Sequence, residues 1–204
     1  MIEQVLIPII FIGLAYLLGS IPVALIVTHW RTNRDLREHG SGHAGATNVM
    51  RLAGWAPALF VLLWDMGKGF LVVALAARVG PGWLQPLSAV AVVVGHCWPV
   101  FAGFQGGMGV ATTGGALLAS WPLGFVLGIG LDAALTLLLR HAARANVVTG
   151  LTLWLVLLLF GAKPLTLYLT AGVSLVVVIR SLRDWRRQYR ELWLDRQEEA
   201  GPKT

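Results

Sequence analysis

Two stretches of this sequence combine small residues with polar side chains, a composition typical of loops that bind anions. The first runs from Gly40 to Arg51 and reads GSGHAGATNVMR. Its glycines and alanines let backbone N–H groups approach a ligand closely, Ser41, Thr47 and Asn48 add donors, and Arg51 adds a planar cation. The stretch predicts a site for an anion with several acceptor oxygens, although composition alone fits a flexible glycine-rich connector equally well.

The second stretch, Gly95 to Thr112, reads GHCWPVFAGFQGGMGVAT. Gly106, Gly107 and Gly109 stand directly before a predicted helix, whose free N–H groups and dipole attract phosphate. Such a run is weak evidence alone, because glycines also permit close packing of membrane helices. Two glycine-rich loops predicted on the same membrane face are stronger evidence than either one.

Few other residues carry chemistry. Asp65 and Lys68 are three positions apart in an apolar helix, which predicts a structural ion pair on one helix face. His96 stands beside the single cysteine, Cys97, but no further ligands follow at metal-site spacing, so no metal is predicted. His96 either belongs to an anion site formed by the second stretch or is a histidine packed in the protein interior. Asp132 stands alone in an apolar segment, and the sequence leaves open whether it faces a polar cavity or a partner.

The elements that position these residues are transmembrane helices. Of the 204 residues, 56% are hydrophobic and only 13% are charged, about half the usual charged fraction of roughly 25% in a soluble domain. Asp132 is the one formal charge between Arg78 and Arg140. This pattern excludes a soluble domain and a disordered chain. It predicts an all-α integral membrane protein, a compact bundle of about seven segments, some of them short.

The segment boundaries follow from the apolar runs and from the Trp121-Pro122 step, where proline removes a backbone donor. The predicted segments are Val5–Val27, Trp55–Ala77, Pro86–Phe104, Val110–Ser120, Pro122–Leu139, Val147–Phe160 and Pro164–Ile179. With the N-terminus outside, this count places 13 of the 16 Lys and Arg residues on the cytoplasmic side, in agreement with the positive-inside rule. Residues 1–180 are predicted to form one membrane domain, and residues 181–204 a basic cytoplasmic tail.

The order and spacing of four motifs resemble the acyl-phosphate:glycerol-3-phosphate acyltransferase family. The motifs are Gly19-Ser20-Ile21-Pro22, Gly40–Arg51, Asp65-x-x-Lys68-Gly69 and Gly95–Thr112. The resemblance implies a multi-pass enzyme of the bacterial inner membrane that uses no cofactor. Its substrates would be acyl phosphate and glycerol 3-phosphate, and its product lysophosphatidic acid, a phospholipid precursor.

The resemblance also implies roles for individual residues. Ser41 would orient a phosphate or the acceptor hydroxyl, and Arg51 would neutralise phosphate charge. The residues expected to act in catalysis are Ser41, His43, Thr47, Asn48 and Arg51. Those expected to bind substrate or its phosphate are Gly40, Gly42, Gly45, His96, Gly106, Gly107, Gly109 and Thr112.

Several polar positions depart from the family pattern, while Arg187 fits it. His43 replaces an asparagine and Met108 a lysine; Ala143 and Asn146 replace serines, and Ser181 and Asp184 replace a histidine and an asparagine. These changes keep open a paralogue that binds a phosphorylated lipid precursor without efficient turnover. A small transporter, suggested by the charges at membrane depth, is less favoured because the sequence has no pseudo-symmetric halves.

Overall fold

The computed structural model describes residues 2–187. This part of the chain contains nine α-helices and two short 3₁₀ turns, joined by loops. The 3₁₀ turns are Leu36–Glu38 and Val100–Ala102. The helices are α1 (Ile2–Gly19), α2 (Val23–Thr32), α3 (Ala46–Ala53), α4 (Trp55–Val79), α5 (Leu84–Cys97), α6 (Val110–Ser120), α7 (Pro122–Leu139), α8 (Ala142–Leu159) and α9 (Pro164–Leu182).

Six apolar stretches are long enough to cross a bilayer, and α6 is a shorter apolar helix. The 11 residues of α6 span about 16 Å at roughly 1.5 Å per residue, half of a hydrocarbon core of about 30 Å. Pro122 begins α7 at the position where its missing N–H costs nothing. The predicted all-helical membrane fold is confirmed, including the short segment and the break after it.

The first predicted span, Val5–Val27, is wrong as a single helix. The structure divides it into α1 and α2 at the motif that begins with Gly19. Pro22 cannot donate to the helical ladder, and a Cβ on Gly19 would collide with the carbonyl oxygen of Val92 in α5. The break therefore coincides with close backbone contact between α1 and α5.

Three other predicted boundaries are also wrong. Pro86–Phe104 ends early, because α5 stops at Cys97 and Pro99 opens a separate 3₁₀ turn. Val147–Phe160 begins too late, because the His141 side chain accepts a hydrogen bond from the Arg144 N–H and caps α8 five residues earlier. The last span, predicted as Pro164–Ile179, continues to Leu182. Hydropathy missed the start of α8 and the end of α9 because polar residues lie inside both of these helices.

Close backbone contact fixes the centre of the bundle. A Cβ on Gly69 of α4 would collide with the carbonyl oxygen of Thr112, and one on Gly115 of α6 would collide with that of Met66. Such glycine contacts hold membrane helices together by dispersion. Larger buried side chains, among them Val73, Val93, Leu117, Leu157 and Leu169, fill the spaces between helices. Because α4 and α6 are in contact, the start of α6 is held at a fixed place beside the middle of α4.

The predicted tail, residues 181–204, is described only to Arg187. Ser181 is fully buried and Asp184 is 6% exposed, so the first residues after position 180 pack against the bundle. Residues 188–204 lie outside the described residues, and the cytoplasmic tail stays a prediction.

Candidate active site

Three polar elements meet at one end of the bundle. They are the first loop (residues 33–45, before α3), the second loop (residues 98–109, before α6) and the α9 end (residues 180–187). Arg180 joins them: one guanidinium nitrogen, Nη2, lies 3.0 Å from His43 Nδ1, and Nε donates to the Gly107 carbonyl oxygen at 3.2 Å. The first and second loops also touch directly, since a Cβ on Gly107 would lie 2.8 Å from the Ala44 carbonyl oxygen.

Asn48 holds the first loop in shape. Its side chain is buried, and its oxygen accepts a hydrogen bond from the Ser41 N–H at 3.3 Å. Its amide nitrogen donates toward the carbonyl oxygens of Leu36, His39 and His43 at 3.0–3.2 Å. Both ends of the amide are therefore engaged by the backbone, and the geometry assigns Asn48 to the support of the loop.

The glycines of the first loop serve its backbone conformation. Gly40 and Gly42 have φ values of 54° and 68°, a region that side chains disfavour. A Cβ on Gly42 would also lie 3.4 Å from the Arg187 guanidinium. Gly45 is the N-cap of α3 and is extended, with no side chain capping the helix. The first N–H groups of α3 are consequently open to an anion.

An ion pair joins the first loop to the second. Two nitrogens of the Arg37 guanidinium contact the Asp35 carboxylate at 2.6–3.1 Å, and a third donates to the Ala102 carbonyl oxygen at 3.4 Å. The hydrogen bonds from Arg37 lower the pKa of Asp35 to about 2. The pair therefore remains ionised throughout the physiological range.

The side chains of three predicted catalytic residues are unengaged by other side chains. Thr47 and Arg51 stand four positions apart on α3, on one helix face. Neither makes a hydrogen bond or ion pair with any residue that the structure describes. Ser41 has one weak contact at its hydroxyl, 3.4 Å from the His43 N–H. These groups are the ones available to a ligand.

The second loop presents N–H groups beside a helix start. Gly109, with φ 87°, begins α6 without a side-chain cap. The Gly107 N–H donates to the His96 carbonyl oxygen at 3.2 Å, whereas the N–H groups of Met108 and Gly109 have no partner within residues 2–187. A Cβ on Gly106 would collide with the His96 carbonyl oxygen. Gly106 and Gly107 are thus required for packing, and the free N–H groups follow them.

A buried polar cluster supports the second loop from within the membrane. Lys68 Nζ contacts Asp65 at 2.7 Å and His96 Nδ1 at 2.9 Å, and it donates to the Gly19 carbonyl oxygen at 3.1 Å. The predicted ion pair is present, and it includes His96. The other ring nitrogen of His96 faces Gly107, so a Cβ there would collide with it. The cluster therefore links α1, α4 and α5 to the loop.

Thr112 lies apart from the surface of the site. Its side chain is fully buried and its carbonyl oxygen contacts Gly69. The described geometry gives it a position in the α4–α6 contact, below the free N–H groups.

Arg180 is the residue that sequence reasoning missed. In the sequence it matches no motif and is one of the basic residues whose distribution indicates orientation. The structure places its guanidinium against the carbonyl oxygens of both Gly106 and Gly107. The signal available in the sequence was its position: Arg180 directly precedes Ser181, one of the changed motif positions.

The departures from the family pattern contact one another. His43 Nε2 lies 2.7 Å from Asp184 Oδ2, and Asn146 lies 3.4 Å from the Ser181 hydroxyl. With its amide nitrogen turned toward α7, Asn146 donates to Asp132 at 3.1 Å, which supplies a partner for that carboxyl group. Changed residues distant in sequence are therefore neighbours in space.

His43 is held as a neutral imidazole. Burial lowers its pKa; Asp184 opposes this effect, and the positive charges of Arg180 and Arg187 reinforce it. Ala143 is fully buried, and Met108 is half-buried beside the glycines of the second loop. The described residues contain no cluster of three or more His, Cys, Asp or Glu side chains arranged for a metal.

Comparison with known proteins adds independent evidence. Residues 9–191 match the family model described as glycerol-3-phosphate acyltransferase. The chain is 38% identical over 182 residues to a glycerol-3-phosphate acyltransferase of Parasynechococcus marenigrum, covering 88% of this chain and 85% of that one. It is 43% identical over 136 residues to glycerol-3-phosphate acyltransferase 2 of Moorella thermoacetica, covering 67% and 70% of the two chains.

Solved structures show the same fold. The chain is similar to the crystal structure of PlsY, an integral membrane glycerol 3-phosphate acyltransferase, in its glycerol 3-phosphate form. The TM-score is 0.79 at 30% identity, covering 88% of this chain and 90% of that one. The lysophosphatidic acid form of PlsY gives a TM-score of 0.77 at 27% identity over the same shares.

Proposed function

This chain belongs to the glycerol-3-phosphate acyltransferase family, and we propose that it transfers a fatty acyl group from acyl phosphate to glycerol 3-phosphate. The product is lysophosphatidic acid. The acceptor and product agree with the two forms in which the similar PlsY structure was solved. The donor is proposed from the motif resemblance.

The observation that carries the proposal is the meeting of the two glycine-rich loops beside unengaged polar groups. Ser41 lies in the first loop and Arg51 on the helix that follows it, and the start of α6 offers N–H groups at the end of the second loop. Two uncapped helix N-termini and a free guanidinium suit phosphate oxygens. Both substrates carry a phosphate, so a site of this kind serves either one.

The reaction needs little from the protein beyond positioning. The acceptor hydroxyl oxygen bonds to the acyl carbonyl carbon, the bond from that carbon to the phosphate oxygen breaks, and hydrogen phosphate leaves with the hydroxyl proton. Acyl phosphate is already activated, so orientation and charge stabilisation account for the rate. In this scheme Ser41 orients the phosphate or hydroxyl, and Arg51 neutralises phosphate charge.

The experiment is an acyl-transfer assay on purified protein with acyl phosphate and labelled glycerol 3-phosphate. Labelled lysophosphatidic acid is the expected product, reduced by Ser41→Ala. Ser120→Ala is the matched control, because Ser120 bonds to Thr166 away from both loops. An identical loss in both variants would contradict the placement of Ser41 in the site.

A second candidate, a paralogue that binds the phosphorylated substrate without efficient turnover, is favoured by the changes at Met108, Ser181 and Asp184. The same assay separates the two functions. Saturable binding of glycerol 3-phosphate with no product supports the paralogue, whereas product formation at a rate comparable to relatives excludes it.

We propose further that the protein lies in the bacterial inner membrane with its N-terminus outside and its C-terminus in the cytoplasm. Support comes from the basic residues of the first loop, α8 and the α9 end, which the contacts place at the same end as the site. The positive-inside rule assigns such an end to the cytoplasm, where water-soluble glycerol 3-phosphate is available.

A further inference from the structure

Arg180 is the side-chain cation that the structure places on the glycines of the second loop. Its side chain is 11% exposed. Nε donates to the Gly107 carbonyl oxygen at 3.2 Å, and Nη2 donates to that of Gly106 at 3.3 Å. One planar group thus holds two successive carbonyl oxygens on the same side of the loop.

This contact fixes the direction of the following N–H group. In a trans peptide the carbonyl oxygen and the N–H point in opposite directions. The carbonyl of Gly107 points at Arg180, so the N–H of Met108 points away from it. That N–H has no partner in the described part of the chain and lies next to the start of α6. The loop therefore presents the Met108 N–H on the face opposite Arg180, beside the helix dipole.

His43 and Asp184 hold Arg180 in this place. An arginine side chain only donates hydrogen bonds, so His43 Nδ1, 3.0 Å from Arg180 Nη2, accepts and carries no proton. The proton of the neutral ring is on Nε2, which lies 2.7 Å from Asp184 Oδ2. Asp184 also lies 3.9 Å from Arg180 and 3.3 Å from Arg187. A second proton on His43 would stand against the Arg180 guanidinium and displace it.

We propose that His43, Asp184 and Arg180 form a positioning triad, in which the neutral imidazole and the carboxylate hold Arg180 on the carbonyl oxygens of the second loop. The loop is thereby kept with the free N–H of Met108 available to the substrate phosphate. The triad acts through the loop, so its members are positioning residues. This inference rests on the proposed acyltransferase function for its kinetic readout.

The first test compares two arginines of the α9 end. Arg180→Ala releases the second loop and raises the KM for glycerol 3-phosphate about tenfold or more, since charge-assisted bidentate contacts are among the strongest hydrogen bonds in proteins. Arg180→Lys recovers part of this loss, because an ammonium holds one carbonyl oxygen at a time. Arg183→Ala is the matched control: its guanidinium stacks on Trp98, at the start of the same loop, at 5.8 Å, and within residues 2–187 it makes no hydrogen bond to Gly106 or Gly107. Equal KM values in the Arg180→Ala and Arg183→Ala proteins would overturn the proposal.

The second test replaces His43 with asparagine or glutamine, because the side-chain amide of each residue imitates one nitrogen of the imidazole ring. His43→Asn places an oxygen near the position of Nδ1 and keeps the contact with Arg180. His43→Gln places an amide near Nε2 and keeps only the contact with Asp184. The triad predicts a KM close to that of the unmodified protein for the first variant, and a KM like that of Arg180→Ala for the second.

The pH dependence distinguishes positioning from simple structural support. The groups facing His43 are Arg180, Asp184 and Arg187, and its pKa is lowered by burial. As pH falls below about 6.5, the ordinary histidine pKa, and passes through the lowered value, the ring gains a proton and releases Arg180. The ratio of kcat/KM between the unmodified protein and His43→Asn therefore falls with acidity. Titration of the substrates cancels in this ratio. A ratio that stays constant as the assay is made more acidic, down to the pH at which the protein unfolds, contradicts the triad.

Failure of the triad and failure of the proposed function give different results. Product formation that is unaffected by the Arg180 and His43 variants overturns the triad alone. If the unmodified protein makes no product, the dissociation constant of glycerol 3-phosphate replaces KM in each comparison. Equal affinity in the Arg180→Ala and Arg183→Ala proteins then overturns the triad as well.

Discussion

Arg51, on α3, carries a positive charge that no described residue pairs with. It is half-buried and has no ion pair or hydrogen bond with the described residues. Because a charge-assisted bidentate contact to phosphate is worth roughly 1.5–3 kcal/mol, Arg51→Ala should lower kcat/KM about 10- to 150-fold. Arg51→Lys should recover little, since a point charge does not reproduce the planar fork. Steady-state kinetics with varied glycerol 3-phosphate measure both.

Arg31→Ala is the control for general surface charge. Arg31 lies at the end of α2, is exposed and is outside the motif. We expect its removal to leave kcat/KM nearly unchanged. Equal losses for Arg31→Ala and Arg51→Ala in correctly inserted protein would reduce Arg51 to an orientation signal.

Gly107 tests whether the contact between the loops matters for binding. A methyl group there would meet the His96 ring and the Ala44 carbonyl oxygen, so Gly107→Ala should displace the second loop and raise the KM for glycerol 3-phosphate. Gly82→Ala is the control, because nothing lies within 4 Å of a Cβ at Gly82. An unchanged KM for Gly107→Ala would show that the loop tolerates displacement and does not bind the substrate.

At the scale of helices, the contact between α4 and α6 determines where the second loop ends and α6 begins. A Cβ on Gly115 would collide with the Met66 carbonyl oxygen, a backbone atom that cannot move alone. Gly115→Ala should destabilise the protein by about 1–3 kcal/mol through overpacking and should reduce activity by shifting α6. Thermal unfolding in detergent measures the first effect and the acyl-transfer assay the second.

Gly67→Ala is the matched control on α4. Nothing lies within 4 Å of a Cβ at that position, so the added methyl group should stabilise the helix by up to about 1 kcal/mol. A higher melting temperature for Gly67→Ala beside a lower one for Gly115→Ala separates helix contact from helix propensity. The same sign of change in both variants would contradict the close contact.

At the scale of the whole molecule, the site and the basic residues share one end of the bundle. Arg144 donates to the Trp185 carbonyl oxygen at 3.2 Å, which brings the start of α8 to the α9 end. Lys163 lies before α9, whose 19 residues span about 28 Å at roughly 1.5 Å each. We expect Arg34→Cys and Arg144→Cys to be labelled from the cytoplasmic side, and Lys163→Cys from the other side.

The native thiol gives little background in this experiment, because Cys97 is fully buried. A membrane-impermeant reagent, applied to intact cells and to inverted vesicles, reports the side of each introduced cysteine. Labelling of Arg34→Cys and Arg144→Cys from opposite sides would contradict the seven-segment topology.

Local patterns in the sequence were sufficient to predict the helical membrane fold and both glycine-rich loops. Apolar runs specify transmembrane helices because an unpaired peptide group in lipid is costly wherever the helix lies. The break at Pro122 could also be predicted from local sequence, because proline lacks the backbone N–H donor and this affects only the adjacent helical turn. The Asp65–Lys68 pair needed only the helical period.

The role of Arg180 and the pairing of His43 with Asp184 could not be read from local pattern. Arg180 and His43 are 137 positions apart, and their contact exists only because α9 packs beside both loops. Helix ends hidden by polar residues, as at Ala142 and Leu182, were likewise set by capping and packing. A buried polar group must find a partner, but which one it meets depends on how the helices pack, and that is decided by the tertiary structure.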